Sequence, residues 1–474
     1  MEIKINGKLL DVMDRSMMLE LKNPMFGFNE VTGARAYDIN ISGTELVNKI
    51  FGKVYHPAVK AINQVYATEL TRGNTTIEKG VSVVRAIGAD RAENGGAAIN
   101  GGFTLGFTSN YAELFGANQS KTLREIDFGN VLFGAAQINA SLANTYLVNG
   151  WVLPTIVNAK FYETGNAPGG WTGKVNDFGG GFFTAGVKTP MFFVKYILKA
   201  LATTAGVTFK GTFWDSALLN SLLFYTNQAV AAVTIDVRKQ LPSLTIAQVL
   251  LGLRKAYNVV IRIDAANKSI RMDFGKDLLR EIPKTNLNNK IRRIGGGTPM
   301  WSEGLRLRLA TDSNDGFNKD AFYLPYESAA SGFNLGYNEI ESVFCSTLMS
   351  AGMPAVDQNG NTTGQEDKNC SPRLLYWTGG ATPAASNAFG GVEFGSSALA
   401  AGYWTEQENF FKSGFVATEM VMLTSVDIAD VSARFRGEKA DAAIYHAWGV
   451  NWLIESLTVP GVDGEKCKVV MWRV

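Results

Sequence analysis

Histidine and cysteine are scarce in this chain: His56 and His446 are the only histidines, and Cys345, Cys370 and Cys467 the only cysteines, in 474 residues. A zinc-type centre needs three or four nitrogen or sulfur ligands, and none stands at ligand spacing to either histidine. A Ser-His-Asp or Cys-His arrangement would have to recruit one of those two histidines, and no nucleophile-elbow sequence accompanies them. Each histidine is therefore read as structural. The three cysteines show neither metal nor redox spacing; a Cys345 to Cys370 bridge stays open, with free buried thiols the favoured state.

Charge is sparse as well. Charged residues make up 19% of the chain, and 45 basic against 43 acidic residues leave a net charge of +2, which gives no basic face for a polyanion. The nearest basic run, Lys290 to Arg293, is short enough to be a solvated strand end. Glu113, Glu125 and Asp127 lie close in sequence and raise the question of paired carboxylates for glycoside hydrolysis. With 43 acidic residues such neighbours arise by chance, and the required separation is not a property of sequence. No catalytic, cofactor-binding or metal-binding residue is assigned, and no enzymatic activity is expected.

Long apolar runs are missing too: none approaches the ~20 residues that span a bilayer as a helix. Met1 to Gly7 alternates and carries no apolar signal core, so synthesis and retention in a cytoplasm are expected. An outer-membrane barrel would need the signal that is not seen here.

Glycine and aromatics are plentiful. Fifty glycines and an 11% aromatic share suit a β-rich protein with many turns. Glu2 to Asn6 and Tyr37 to Ile41 alternate, Asn6-Gly7 is a hairpin-type turn, and a short helix follows Gly43 or Thr44. Gln64 to Leu70 and Ile77 to Val84 alternate about a turn at Gly73-Asn74. The glycines of Asn94 to Gly102 lack a phosphate-loop lysine, so a hairpin tip is the better account. Residues 151–186 mix Gly, Pro and aromatics, including Ala167-Pro-Gly-Gly-Trp171; such a block anchors a loop or builds a carbohydrate platform. Residues 350–400 read as long surface insertions, poor in core positions. Thr418 to Leu423 alternates, and His446 to Leu457 with Glu465 to Val474 predicts a closing hairpin about Pro460 to Gly464.

Between Val187 and Gly275 one small unit occurs twice. Met191 to Leu201 has helical apolar spacing, is preceded by Thr189-Pro190, and stops at Gly206 before the run Val207 to Phe209. Leu244 to Leu253 repeats the pattern with Thr245 as cap and Asn258 as stop before Val259 to Ile263. Both read as capped helix, stop, strand. Ile197, Leu198 and Leu201 in one copy, and Val249, Leu250 and Leu253 in the other, should face barrels rather than solvent.

On these paired units, and above all on the run Leu244 to Asp264, the chain resembles the hub proteins at the tip of phage tails and of related contractile injection machines. The closing hairpin, with a Trp before a polar turn, also resembles theirs. The resemblance covers residues 30–290. It implies a mainly β fold with α elements (α+β), in which tandem β-barrel-like domains carry short accessory helices. It also implies a homotrimer, continuing the tail tube as a pseudo-hexameric ring, with tube, baseplate or tip and spike proteins as partners. DNA would pass through the channel without specific binding during genome ejection.

Four segments are expected: 1–60, N-terminal strands and a helix; 61–186, a first barrel-like domain with an insertion; 187–300, the tandem helix-strand modules of a second barrel-like domain; and 301–474, a C-terminal β-rich region with long loops. The function expected is that of a structural virion protein, a tail hub at the distal end of the tube, made in the host cytoplasm. Alternatives are a surface carbohydrate-binding receptor protein, drawn from the aromatic loops, and another tail or connector ring component.

Overall fold

A computed structural model describes residues 1–10, 12, 17–30, 34–52, 64–87, 102–109, 112–162, 166–184, 186, 188–283, 285–291, 297–299, 304–319, 324–329, 336–362, 370–412 and 414–474. Strand accounts for 40% of the chain and helix for 22%, so the mainly β expectation holds; the sheets, however, are open, and no closed barrel is found among the described residues.

The largest sheet draws on both ends of the chain. Its N-terminal strands are β1 (Glu2–Ile5), β2 (Lys8–Leu10), β3 (Met18–Lys22), β4 (Ala34–Ile41), β5 (Val65–Arg72), β6 (Thr75–Ile87) and β7 (Phe103–Ser109). Its C-terminal strands are β8 (Phe415–Val421), β9 (Ile444–Ala447), β10 (Val450–Pro460) and β11 (Cys467–Arg473). The order is β2-β1-β5-β6-β7-β4-β3-β10-β11-β8, with Gly297–Pro299 on the far edge and Thr285–Asn286 beside β9. β2 at one edge and Gly297–Pro299 at the other do not pair with each other, which leaves this sheet open.

Turn chemistry sets the hairpins. Asn6 and Gly7 both take positive φ, 49° and 76°, as a two-residue turn matching strand twist requires, and Ile3, Ile5 and Leu10 fall on the buried face. The expected closing hairpin is β10–β11, paired antiparallel from Trp452↔Arg473 to Thr458↔Lys468.

The intervening chain builds a second lobe around α1 (Val194–Ala205) and α2 (Ile246–Tyr257). In α2 the expected cap is present: Thr245 Oγ1 accepts from Gln248 N–H at 3.2 Å while the Gln248 side chain accepts from Thr245 N–H at 2.8 Å. Asn258 ends the helix at φ 50°, and Gly206 ends α1 at φ 66°. Ile197, Leu198 and Leu201 in α1, and Val249, Leu250 and Leu253 in α2, are buried as expected. Each contributes about 1.5–3 kcal/mol by leaving water.

The start of α1 departs from expectation. Thr189 does not cap it, because the Asn176 side chain holds Thr189: it accepts from Thr189 N–H at 2.8 Å and donates to Thr189 O at 3.0 Å. The chain then stays extended, with Met191-Phe192 pairing against Trp151-Val152, and the helix begins at Val194.

The two helix-strand units converge on one strand, Ser269–Phe274. Thr208–Lys210 of the first unit lies parallel to it and Val259–Asp264 of the second antiparallel, so both units share a single three-stranded sheet.

Residues 350–400, expected as surface insertions, enter the core. Val356, Leu374, Leu375, Tyr376, Phe394 and Leu399 are all buried, Leu374 to Tyr376 because Leu374–Trp377 adds to Leu222–Phe224 as an inner strand.

Candidate functional site

The two lobes meet where the helix α3 (Ser425–Phe435) lies against β6 and the Asp264–Lys268 turn. α3 begins with a capping box, in which Thr424 Oγ1 accepts from Asp427 N–H at 3.3 Å and Asp427 accepts from Thr424 N–H at 2.8 Å. Its Ile428, Val431 and Phe435 are buried in the large sheet's core. An open groove of about 740 Å³ runs along this junction, lined by residues that include Thr76, Lys79, Asp264, Asn267, Asp430, Arg436 and Lys439.

The charges of the groove are matched from within. Lys79 pairs with Glu69 at 2.9 Å, and Arg436 with Glu78 at 3.0 Å and Glu438 at 2.7 Å. Burial alone would raise Asp430, but hydrogen bonds from Lys439, Arg434 and the Tyr445 hydroxyl outweigh it and hold its carboxyl below the ordinary range. Asp427 is likewise held low by Lys290 and Thr424 against the opposing effect of burial. Glu78 goes the other way: it is fully buried, and desolvation raises it despite Arg436 and Ser432. Mixed and internally paired, this surface favours neither a polyanion nor a polycation.

Behind the groove stands Arg262, in the middle of an apolar strand. Its guanidinium donates to Asp273 Oδ2 at 2.5 Å and to the carbonyls of Arg434, Lys439, Ala440 and Asp441 at 3.1, 3.3, 2.6 and 2.9 Å. These include a carbonyl at the end of α3, where a cation opposes the helix dipole favourably. A second arginine, Arg254 of α2, is 1% exposed, donates to Pro24 O and sits over the Phe28 ring at 5.5 Å; burial lowers it to about 10. Met25, Val260, Phe410, Leu453 and Trp472 pack beside these contacts and join the lobes. Neither arginine was singled out by sequence reasoning, although Arg262 interrupts Val259-Val-Ile-Arg-Ile263, where a charge needs a buried partner.

His446 is half-buried on β9 and its Nδ1 lies 3.0 Å from Asn451 Oδ1; His56 lies outside the described residues. Glu125 accepts from Thr122 N–H at 2.7 Å in a capping box, and Asp127 from Gly129 N–H at 2.9 Å, so both carboxylates serve turns; the Glu113 side chain is outside the described residues. Lys290 pairs with Asp427, while Arg292 and Arg293 lie outside the described residues, as does most of Asn94 to Gly102. Cys345, Cys370 and Cys467 are free thiols, and burial pushes Cys345 up to about 12.

Two buried carboxylates, Asp312 and Asp315, converge and are taken by Arg373 at 2.6 and 2.7 Å, all three fully buried. Among the described residues no group of three or more His, Cys, Asp or Glu could hold a metal ion, and no helix is long and apolar enough to cross a membrane.

No family model matches the chain, and no curated protein does. Among solved structures, the 43 kDa tail protein of prophage MuSo2 from Shewanella oneidensis is similar at 10% identity, with 100% of this chain and 95% of that one covered, at a TM-score of 0.38. Prophage tail protein gp18 from Listeria monocytogenes is similar at 8% identity, covering 100% and 94%, at a TM-score of 0.37. A component of the type VI secretion system of E. coli, described as structurally similar to T4 tail proteins gp27 and gp5, aligns at 9% identity over 100% and 76%, at a TM-score of 0.34.

Proposed function

We propose that this chain is a structural protein of a phage tail or a related injection machine, and within it a hub at the distal end of the tube. The observation that carries this reading is the pair of helix-strand units, each ended by a left-handed residue, which flank the single strand Ser269–Phe274 in a mainly β chain. This is the feature on which the resemblance to tail hubs rests. In that role the chain is a homotrimer around an open axis, forming part of the channel and a platform for baseplate or tip and spike proteins. The net charge of +2 supports a wall that lets DNA pass, since every phosphate contact would hold the genome back. The site chemistry supports a structural role: the buried carboxylates Asp312 and Asp315 are both paired with Arg373, and the groove's charges are largely paired with neighbouring side chains.

Native mass measurement of the purified chain, combined with co-sedimentation with tail tubes, tests the reading. A trimer that joins tubes is expected. A hexamer would point to a tube or connector ring instead, and a stable monomer that joins no tail would overturn the hub assignment.

A further inference from the structure

The Gly-, Pro- and aromatic-rich block that the tail reading leaves unused builds a pocket of about 130 Å³, lined by Pro168 to Thr172, Lys174, Asp177, Thr184, Gly186 and Lys188. Local chemistry explains its shape. Trp171 N–H donates to Pro168 O at 3.1 Å across a turn whose third residue, Gly170, has φ 84°, a conformation that excludes most side chains. The half-buried indole is anchored from behind: Tyr162 meets it edge-on with ring centres 4.8 Å apart, and Phe161 packs at 6.2 Å.

The polar side of the pocket is equally fixed. Asn176, at φ 52°, donates to Pro154 O at 2.9 Å and to Thr189 O at 3.0 Å, and accepts from Thr189 N–H at 2.8 Å. This clamp holds its neighbours Asp177 and Lys188 close together. Thr172 Oγ1 donates to Asp177 Oδ2 at 3.1 Å. Lys188 is 8% exposed, and its ammonium donates to Thr184 O at 2.7 Å and Gly186 O at 3.2 Å; with three N–H bonds it retains one for another acceptor.

We propose that this pocket binds one neutral hexopyranose unit of a glycan. A sugar ring needs an aromatic surface for its C–H bonds and charged or polar groups for adjacent hydroxyls; Trp171 supplies the first, and Asp177 with Lys188 the second. The volume limits the occupant to about one ring. A small anion is the competing occupant, since Lys174 and Lys188 stand here, but Asp177 lies among them and would repel it. Nothing in this inference depends on the tail reading.

Saturation-transfer NMR on the full chain with the methyl glycosides of glucose, mannose, galactose and N-acetylglucosamine tests it. Transfer to ring protons of at least one glycoside is expected, with a dissociation constant on the order of 1 mM. Trp171→Ala should weaken it by about tenfold or more, and Asp177→Asn should do the same with an unchanged thermal midpoint, which separates lost recognition from lost folding. No transfer from any glycoside up to about 20 mM, transfer unaffected by both variants, or displacement of the glycoside by sulfate at equal concentration would each overturn the proposal.

Discussion

Arg262→Ala tests whether the two lobes are coupled through one buried cation. The guanidinium satisfies Asp273 and four backbone carbonyls at and beyond the end of α3, and both Arg262 and Asp273 are at most 3% exposed. Truncating it leaves a carboxylate without its main partner, because Arg271 approaches Asp273 only to 3.8 Å. Breaking a buried pair in this way costs about 3–5 kcal/mol, a large fraction of the 5–15 kcal/mol that typically separates a native domain from its unfolded chain. The loss should be local. Amide hydrogen exchange across α3 and residues 436–442 should speed up by roughly 10²–10³-fold, at 1.4 kcal/mol per tenfold, while the β5–β6 hairpin changes much less. Replacing both partners, Arg262→Met with Asp273→Leu, should recover most of the loss, since no charge is then left unpaired. A single variant that loses less than about 1 kcal/mol, or one in which protection falls equally everywhere, would refute the coupling argument.

Leu250→Asp places an unpartnered carboxylate at a position of 0% exposure in α2 and should cost several kcal/mol, giving insoluble protein on expression; a soluble, cooperatively folded variant would contradict the helix placement. Asp427 and Asp430 have carboxyls held below the ordinary value of 3.8, so their contribution is present above about pH 4 and is lost as pH falls through their lowered folded values. Acid titration followed by hydrogen exchange should therefore release α3 before the second lobe, and Asp430→Asn should flatten that transition.

Much of the local structure was legible because it depends on neighbours in sequence. The Asn6-Gly7 turn, the Thr245 box with its Asn258 stop, and the β10–β11 hairpin are each fixed within a few residues. Thr189 misleads for the opposite reason: its bonding is decided by Asn176, which no local pattern reveals. Residues 350–400 read as insertions because Gly, Pro and Asn dominate their turns, yet the short apolar pieces Leu374–Trp377 and Phe394 find core partners far off in sequence. The candidate site suffers most, since Arg254 and Arg262 matter through contacts with residues 24 and 434–441. The Trp171 block could be recognised as a loop or platform, but the Asn176 clamp that turns it into a pocket could not.

The order of assembly follows from the same separation of local and distant contacts. Within the large sheet, β5 pairs with β6 across a two-residue turn, whereas β3 pairs with β10 through Leu19↔Val459, about 440 residues apart. Closing a flexible loop costs about 0.6 kcal/mol more per doubling of its length, so the second pairing carries roughly 5 kcal/mol of extra entropic cost unless the intervening chain has already condensed. The second lobe provides that condensation. Its core is built from residues between Leu114 and Trp404, and once it has formed, Arg254 and Arg262 present the two strand groups to each other from one rigid body. Refolding followed by pulsed hydrogen exchange should protect β5–β6 and α2 before β3 and β10, and Arg262→Ala should delay the late phase while leaving the early one unchanged. Simultaneous protection of β3–β10 and β5–β6 would show that the sheet closes without help from the lobe between its halves.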